Sequence, residues 1–240
     1  LTRCLKAFPD SVFKIIDPHD IWYQKYLELS KLGQGKILSH FRNLGREIEI
    51  FKSADLVLAI SLRDRDFMVS NGLNPLYVPV SFKADPLPEK DPSGYDILYP
   101  SGTGYANLDA ISYFIEKIFP LVKKSIPKAR FLVPNTSDDV KNAYLSREDI
   151  IMLPYLKEIR EAYQNADLVA IPLRVGSGLK IKVIESLSFG KPSILSSTSA
   201  QGIALTGYAQ EKISNDPTQL ADEIIKALTD NKYKRKLIAS

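Results

Sequence analysis

One stretch constrains the fold more than any other. Over residues 165–202 a strand, a glycine turn, a helix and a second strand follow one another without a break. Leu168 to Ile171 is a short continuous apolar run, as expected of a strand covered on both faces of a parallel sheet. Pro172 closes it, and Gly176 and Gly178 bracket a turn. From Leu179 the period changes: Ile181, Ile184 and Leu187 recur every three residues, so a helix begins there. Gly190, with Pro192 beyond, ends the helix, and Ser193 to Leu195 reads as the next strand.

Such a turn presents backbone N–H groups at a helix N-terminus, a ready site for phosphate. Lys180 and Lys182 add mobile positive charge beside it. Glu185 stands three residues after Lys182, on a neighbouring part of the helix surface, where a carboxylate can accept hydrogen bonds from a vicinal diol such as a ribose. The spacing alone is met equally by a solvated Lys–Glu pair, since Gly-x-Gly before a helix is a weak motif. Gly102 and Gly104 form a second glycine turn between strand and helix, either a further set of amides for phosphate or a plain loop. Arg174, just ahead of the first glycine turn, is a further candidate for phosphate charge beside Lys180 and Lys182. His19 ends an expected strand, Val12 to Ile16, beside Asp17 and Asp20, and groups at the carboxyl ends of strands face the ligand crevice of an open α/β sheet. Its alternative is a turn histidine held by those aspartates. A metal site on Asp17, His19 and Asp20 is disfavoured, because adjacent residues rarely aim three ligands at one point. Tyr99, Tyr105 and Tyr155 can stack on a base, though packing is the commoner fate of a tyrosine.

Elsewhere, strands alternate with helices of about ten residues joined by short loops, the pattern of doubly wound parallel sheets. The expected elements include helices over Phe41–Lys52 and from Asn107, a capping residue, through Ile111, Ile115, Ile118 and Val122. Strands are expected at Leu56–Ile60, Leu76–Val80 and Tyr95–Tyr99, with a short one around Lys212 and Ile213. Residues 83–94, with Pro86, Pro88, Pro92 and Gly94 among charges, read as a linker between a portion of one domain (1–82) and a second domain (95–240). Ala54-Asp55-Leu56-Val57 recurs as Ala166-Asp167-Leu168-Val169, each before a buried strand, which is what two similar α/β domains would give. A balance of 32 basic against 28 acidic residues is too mild to argue for nucleic acid. A single cysteine excludes a disulfide framework and a cysteine-based zinc site. No apolar run approaches the roughly 18 residues that span a bilayer, so no transmembrane segment is expected.

The order Pro172, Gly176, Gly178, Lys182, Glu185, Gly190, Pro192 and Gly202 resembles the nucleotide-sugar signature of two-domain (GT-B) glycosyltransferases of group 1, often called family 4. Many members carry two glutamates eight positions apart, the second holding the nucleotide ribose. Glu185 matches the second, and the first falls at Ser177, a departure that leaves the donor sugar undefined. A Gly-x-Gly-x-Lys-x-Lys-x-x-Glu variant in that superfamily is what this chain looks like. The resemblance covers nearly the whole chain and implies two Rossmann-like doubly wound domains, the N-terminal one only partly present. It implies transfer of a sugar from a nucleoside diphosphate to a glycan or lipid-linked acceptor, with retention at the anomeric carbon and no bound metal or other cofactor. It also implies that Glu185 binds ribose, that Lys180, Lys182 and the glycine turns hold phosphate, and that His19 reaches the sugar. A cytoplasmic chain, with peripheral membrane contact as an option, fits that role. Two other readings share the features: a nucleotide-sugar 2-epimerase of the same fold, and a non-catalytic nucleotide-sugar-binding module. The opening residue, Leu rather than Met, adds the expectation of a piece of a longer protein that binds donor but transfers poorly.

Overall fold

The computed structural model describes residues 5, 7–88, 95–100, 103–135, 137–144 and 146–239. They form two compact units. The first takes the described residues up to Ser81 together with Val175–Leu179 and Gln201–Ile203. The second takes those of Phe82–Arg174, Lys180–Ala200 and Ala204–Ser240.

In the first unit three parallel strands lie in the order β1 (Ile15–Ile16), β2 (Leu56–Ala59), β3 (Leu76–Tyr77). Helices α1 (Trp22–Ser30), α2 (Leu44–Lys52) and α3 (Leu62–Ser70) accompany them, with a 3₁₀ segment over Gly35–Phe41. The outer strands are shorter than their apolar runs suggest. The central β2 has four residues, of which Leu56 and Val57 pair with β1 while Leu58 and Ala59 pair with β3. Each edge strand therefore finds only two partners. Helix α2 begins at Leu44 rather than Phe41, because the Asn43 side chain accepts from the Arg46 N–H at 3.1 Å and caps it there. Ile16, Ile21, Ile48, Phe51, Val57, Ala59 and Met68 make the core.

The second unit is built on five parallel strands: β4 (Tyr95–Leu98), β5 (Ala129–Pro134), β6 (Ile150–Leu153), β7 (Leu168–Ile171) and β8 (Ser193–Leu195). Their order is β6-β5-β4-β7-β8. The chain thus winds outward from β4 through β5 and β6, then returns to the other side of β4 as β7. That reversal makes the sheet doubly wound, with its switch point at the carboxyl ends of β4 and β7. Strand β7 is fully buried, as its unbroken apolar run requires. The helices are α4 (Tyr105–Tyr113), α5 (Phe119–Ser125), α6 (Asp138–Tyr144), α7 (Arg160–Gln164), α8 (Ile181–Ser188), α9 (Ser197–Ala200), α10 (Gly207–Glu211), α11 (Pro217–Thr229) and α12 (Asn231–Ile238). Phe114, Phe119 and Phe131 stack within the core, each fully buried and worth about 1.5–3 kcal/mol of burial.

Four expectations change in this unit. The helix through Ile111, Ile115, Ile118 and Val122 buries all four residues, but a π turn over Phe114–Ile118 interrupts it. Pro120 has no N–H to give and its ring crowds the preceding turn, so the ladder widens and the Phe119 N–H reaches the Phe114 carbonyl instead. Asn107 is not the cap: Gly104 is, and Asn107 turns its side chain inward from the first turn of α4. No strand forms at Lys212 and Ile213. Helix α10 runs into Lys212, and a single bond from the Ser214 N–H to the Leu195 carbonyl marks where a strand would have paired. Finally, the three-residue period that announces α8 is not its buried face. Ile181 and Leu187 are exposed, and Val183 and Ser186 are buried, because the small Ser186 sits against Ser193 of β8 (Oγ···Oγ 3.0 Å) and satisfies its hydroxyl on the Val183 carbonyl.

The stretch expected as a linker is described only as far as Pro88, residues 89–94 lying outside the described residues. Its described part is docked: the Asp85 and Leu87 N–H groups donate to the carbonyls of Ser188 and Phe189 at 2.8 and 3.0 Å. The repeated Ala-Asp-Leu-Val proves to be one device used twice. The Asp55 N–H donates to the Lys14 carbonyl (2.9 Å) while its carboxylate accepts from the Lys14 N–H (2.7 Å), starting the β1–β2 pair. Asp167 does the same with Asp96 at 2.9 and 2.8 Å, starting β4–β7.

Candidate functional site

Within the second unit, the segments that leave β4 and β7 border the point where strand order reverses, the place where open α/β sheets bind ligands. From the β4 side come Tyr99, Gly104, Asn107 and Asp109; from the β7 side come Arg174, Lys180, Lys182 and Glu185. Lys182, in the first turn of α8, reaches across this point. Its Nζ donates to Asn107 Oδ1 at 2.6 Å, lies 3.4 Å from Tyr99 Oη, and stands 4.6 Å from the centroid of the Tyr99 ring. The Tyr99 hydroxyl donates to the same Asn107 Oδ1 at 2.8 Å. Burial pushes the Lys182 ammonium down to about 7, nearby Lys180 adds to this, and Glu185 works against it. Tyr99 is fully buried, and burial raises its phenol well above its ordinary value.

Glu185 has a different partner. Its Oε2 accepts from the Tyr163 hydroxyl at 2.9 Å, and that hydroxyl also lies 3.3 Å from the Lys182 carbonyl. Tyr163 is buried on α7 and raised by burial and by the Glu185 charge. The two charges on α8 are thus drawn to separate partners rather than to one another. Glu185 is left partly exposed, one oxygen fixed by a phenol and the carboxylate thereby oriented.

Arg174 is committed elsewhere than expected. Its guanidinium makes a two-pronged pair with Asp109, one arm at 2.9 Å, and stacks 4.9 Å from the centroid of Tyr113. The Asp109 carboxylate raises it further, so its charge is already matched in this state. Lys180 is buried at the cap position of α8, and Gly104 caps α4 with extended backbone. Gly102 lies outside the described residues.

His19, Gly176 and Gly178 belong to the first unit. His19 is exposed beyond the end of β1. Its neighbour Asp20 does not clamp it: that carboxylate pairs with Lys25 at 2.6 Å and accepts from Ser177 Oγ at 2.9 Å. Gly178 has φ +65°, and a side chain there would meet Asp20 Oδ1 at 3.1 Å and the His19 carbonyl at 3.3 Å. Both facts require glycine. Ser177, where the resemblance expects a carboxylate, therefore holds Asp20. Among the described residues no group of three or more His, Cys, Asp or Glu side chains could hold a metal ion.

Sequence reading missed Tyr163 and misplaced Asn107. A buried tyrosine on an amphipathic helix must find a partner for its hydroxyl, which is the signal Tyr163 offers. Asn107 gave only a capping signal, because its partners lie 8 and 75 residues away.

A parallel sheet in the order β6-β5-β4-β7-β8, with its switch point between β4 and β7, defines the class of Rossmann-like, doubly wound α/β proteins. Within that class the chain belongs to the glycosyl transferases of group 1, whose family model matches residues 94–230, more than half of its length. Solved structures agree on the fold. HepE from Anabaena, in complex with UDP and glucose, aligns with TM-score 0.67 at 13% identity over 94% of this chain and 64% of HepE. A mutant of S. aureus TarM, in complex with fondaparinux, α-GlcNAc-glycerol and UDP, aligns with TM-score 0.67 at 14% identity over 81% of this chain and 41% of TarM. The lipopolysaccharide outer core galactosyltransferase WaaB, in its apo form, aligns with TM-score 0.53 at 14% identity over 99% of this chain and 72% of WaaB. The chain spans less than two thirds of the length of TarM and of HepE. No curated protein matches its sequence. The fold is α/β with parallel, Rossmann-like sheets, as in GT-B glycosyltransferases.

Proposed function

We propose that the second unit binds the nucleoside-diphosphate sugar of a glycosyltransferase, and that the protein moves the sugar to a glycan or lipid-linked acceptor hydroxyl with retention. In that reaction the anomeric C–O bond to the diphosphate breaks and the diphosphate leaves with the electron pair. The acceptor oxygen takes its place on the same face of the anomeric carbon, and its proton passes to the departing diphosphate oxygen. The residues' task is to position the donor and to stabilise the departing charge. Lys182, helped by Lys180 and by the amide at Gly104, takes the phosphates, and Glu185 takes the ribose diol. Arg174 joins the phosphates only by leaving Asp109.

The observation that carries this reading is the juxtaposition at the switch point. A lysine held by Asn107 and Tyr99 and a glutamate oriented by Tyr163 share one helix face region, one suited to diphosphate and the other to ribose. A bland Lys–Glu surface pair would not need two buried tyrosines. Family membership supports sugar transfer, and the UDP complexes of HepE and TarM make uracil the first base to try.

Thermal shift with UDP, GDP, ADP and their hexose conjugates tests it. A true ligand at 100 times its dissociation constant adds about 2.7 kcal/mol of stability. One base should raise the melting temperature clearly above the others, and raise it equally with EDTA present, since no metal is assigned a part. A flat panel would contradict the reading. A shift lost on chelation and restored by magnesium or manganese would contradict the metal-free part.

A further inference from the structure

We propose that Asn107 and Tyr99 are positioning residues for Lys182, holding its amine at the switch point by neutral oxygens, so that a nucleoside diphosphate binds there with uptake of a proton. The inference deepens the donor reading above and rests on it for the identity of the ligand.

Asn107 Oδ1 receives both the Lys182 amine (2.6 Å) and the Tyr99 hydroxyl (2.8 Å), which uses both lone pairs of a neutral oxygen. Neutrality matters, because an amide oxygen fixes the direction of an amine but cannot replace the hydration that a half-buried ammonium loses. The Tyr99 ring, 4.6 Å away, gives a weak cation–π attraction and no formal charge. The charged and titratable groups around the amine do not supply the deficit. Asp109, on α4 with Asn107, is paired with Arg174. Tyr163, on α7, faces Glu185 and the Lys182 carbonyl. On α8 itself, Lys180 repels and Glu185 attracts, and the net result together with burial is an amine that gives up its proton near pH 7. A diphosphate supplies the missing negative charge, and the amine recovers a proton as it binds.

The sign follows. Between about pH 7 and its ordinary value of 10.5, Lys182 is neutral in the folded chain and protonated in the unfolded one. The unfolded state then binds more protons, so this group makes stability rise with pH across that window. Thermal unfolding across the window compares wild type with Lys182→Met and with Asn107→Asp, which puts a carboxylate where the amide oxygen was. Wild type should gain melting temperature with pH relative to Lys182→Met. Asn107→Asp, whose carboxylate keeps the lysine charged, should track Lys182→Met. A merely structural Asn107 would shift the whole curve and leave its pH dependence as in wild type.

Calorimetry with UDP at about pH 8.5, in buffers of different ionisation enthalpy, reads the coupling: about one proton taken up by wild type and close to none by either variant. Tyr99→Phe keeps the ring and removes one donor to Asn107; it should weaken UDP and leave uridine unchanged. Parallel pH profiles in all three proteins would overturn the positioning role. UDP binding by wild type without proton uptake would overturn the coupling while leaving the donor reading intact. If UDP, GDP and ADP all fail to bind, the donor reading and the coupling fall together, and the ligand-free profiles still decide the role of Asn107.

Discussion

Tyr163 makes its functional case through one atom. Its hydroxyl orients Glu185 from 22 residues away, at 2.9 Å, and the rest of the side chain is core. Tyr163→Phe keeps the core and removes that bond, so stability should fall by about 0.5–1.5 kcal/mol. Affinity for the nucleoside should fall roughly threefold to tenfold, because the carboxylate loses its orientation, while pyrophosphate binding stays as in wild type. Denaturant unfolding and calorimetry on the variant separate the two effects. A loss of stability with nucleoside affinity intact would make Tyr163 a packing residue only. Glu185 and Lys182 were legible as candidates because their types and spacing suit ribose and phosphate. Their partners were not, because a hydrogen bond to Asn107 or Tyr163 is a tertiary fact with no local trace.

At the level of elements, Asp55 and Asp167 show how a four-residue echo becomes architecture. Each closes a two-way clasp on a residue at the start of the neighbouring strand, fixing a parallel register that a tight turn cannot fix. Asp167 is buried and Asp55 exposed. Asp167→Ala leaves the Asp96 N–H without its carboxylate in a desolvated place and should cost about 1–3 kcal/mol. Asp55→Ala, where water can step in, should cost about 1 kcal/mol or less, as read from urea midpoints. Equal costs would contradict the burial argument. The strands and helices of the second unit were readable because apolar runs and periods act locally. What escaped was set by neighbours: Pro120 forcing a π turn, Ser186 rather than the Ile181 line choosing the buried face of α8, and a four-residue β2 truncating both strands beside it.

On the scale of the whole chain, the order β6-β5-β4-β7-β8 gathers residues more than seventy positions apart at one switch point. The alternation of strands and helices announced that sheet, but strand order is not written in any one segment, and the site depends on it. Function then reduces to whether Lys182 and Glu185 divide a nucleoside diphosphate between them. Calorimetry of UDP and uridine against wild type, Glu185→Gln and Lys182→Met tests that division most directly. A charge-assisted bond to a ribose is worth about 1.5–3 kcal/mol, so Glu185→Gln should lose roughly tenfold or more in affinity for UDP and for uridine alike. Lys182→Met should weaken UDP and leave uridine nearly unchanged. Affinity unchanged in Glu185→Gln, with the fold intact, would contradict the account.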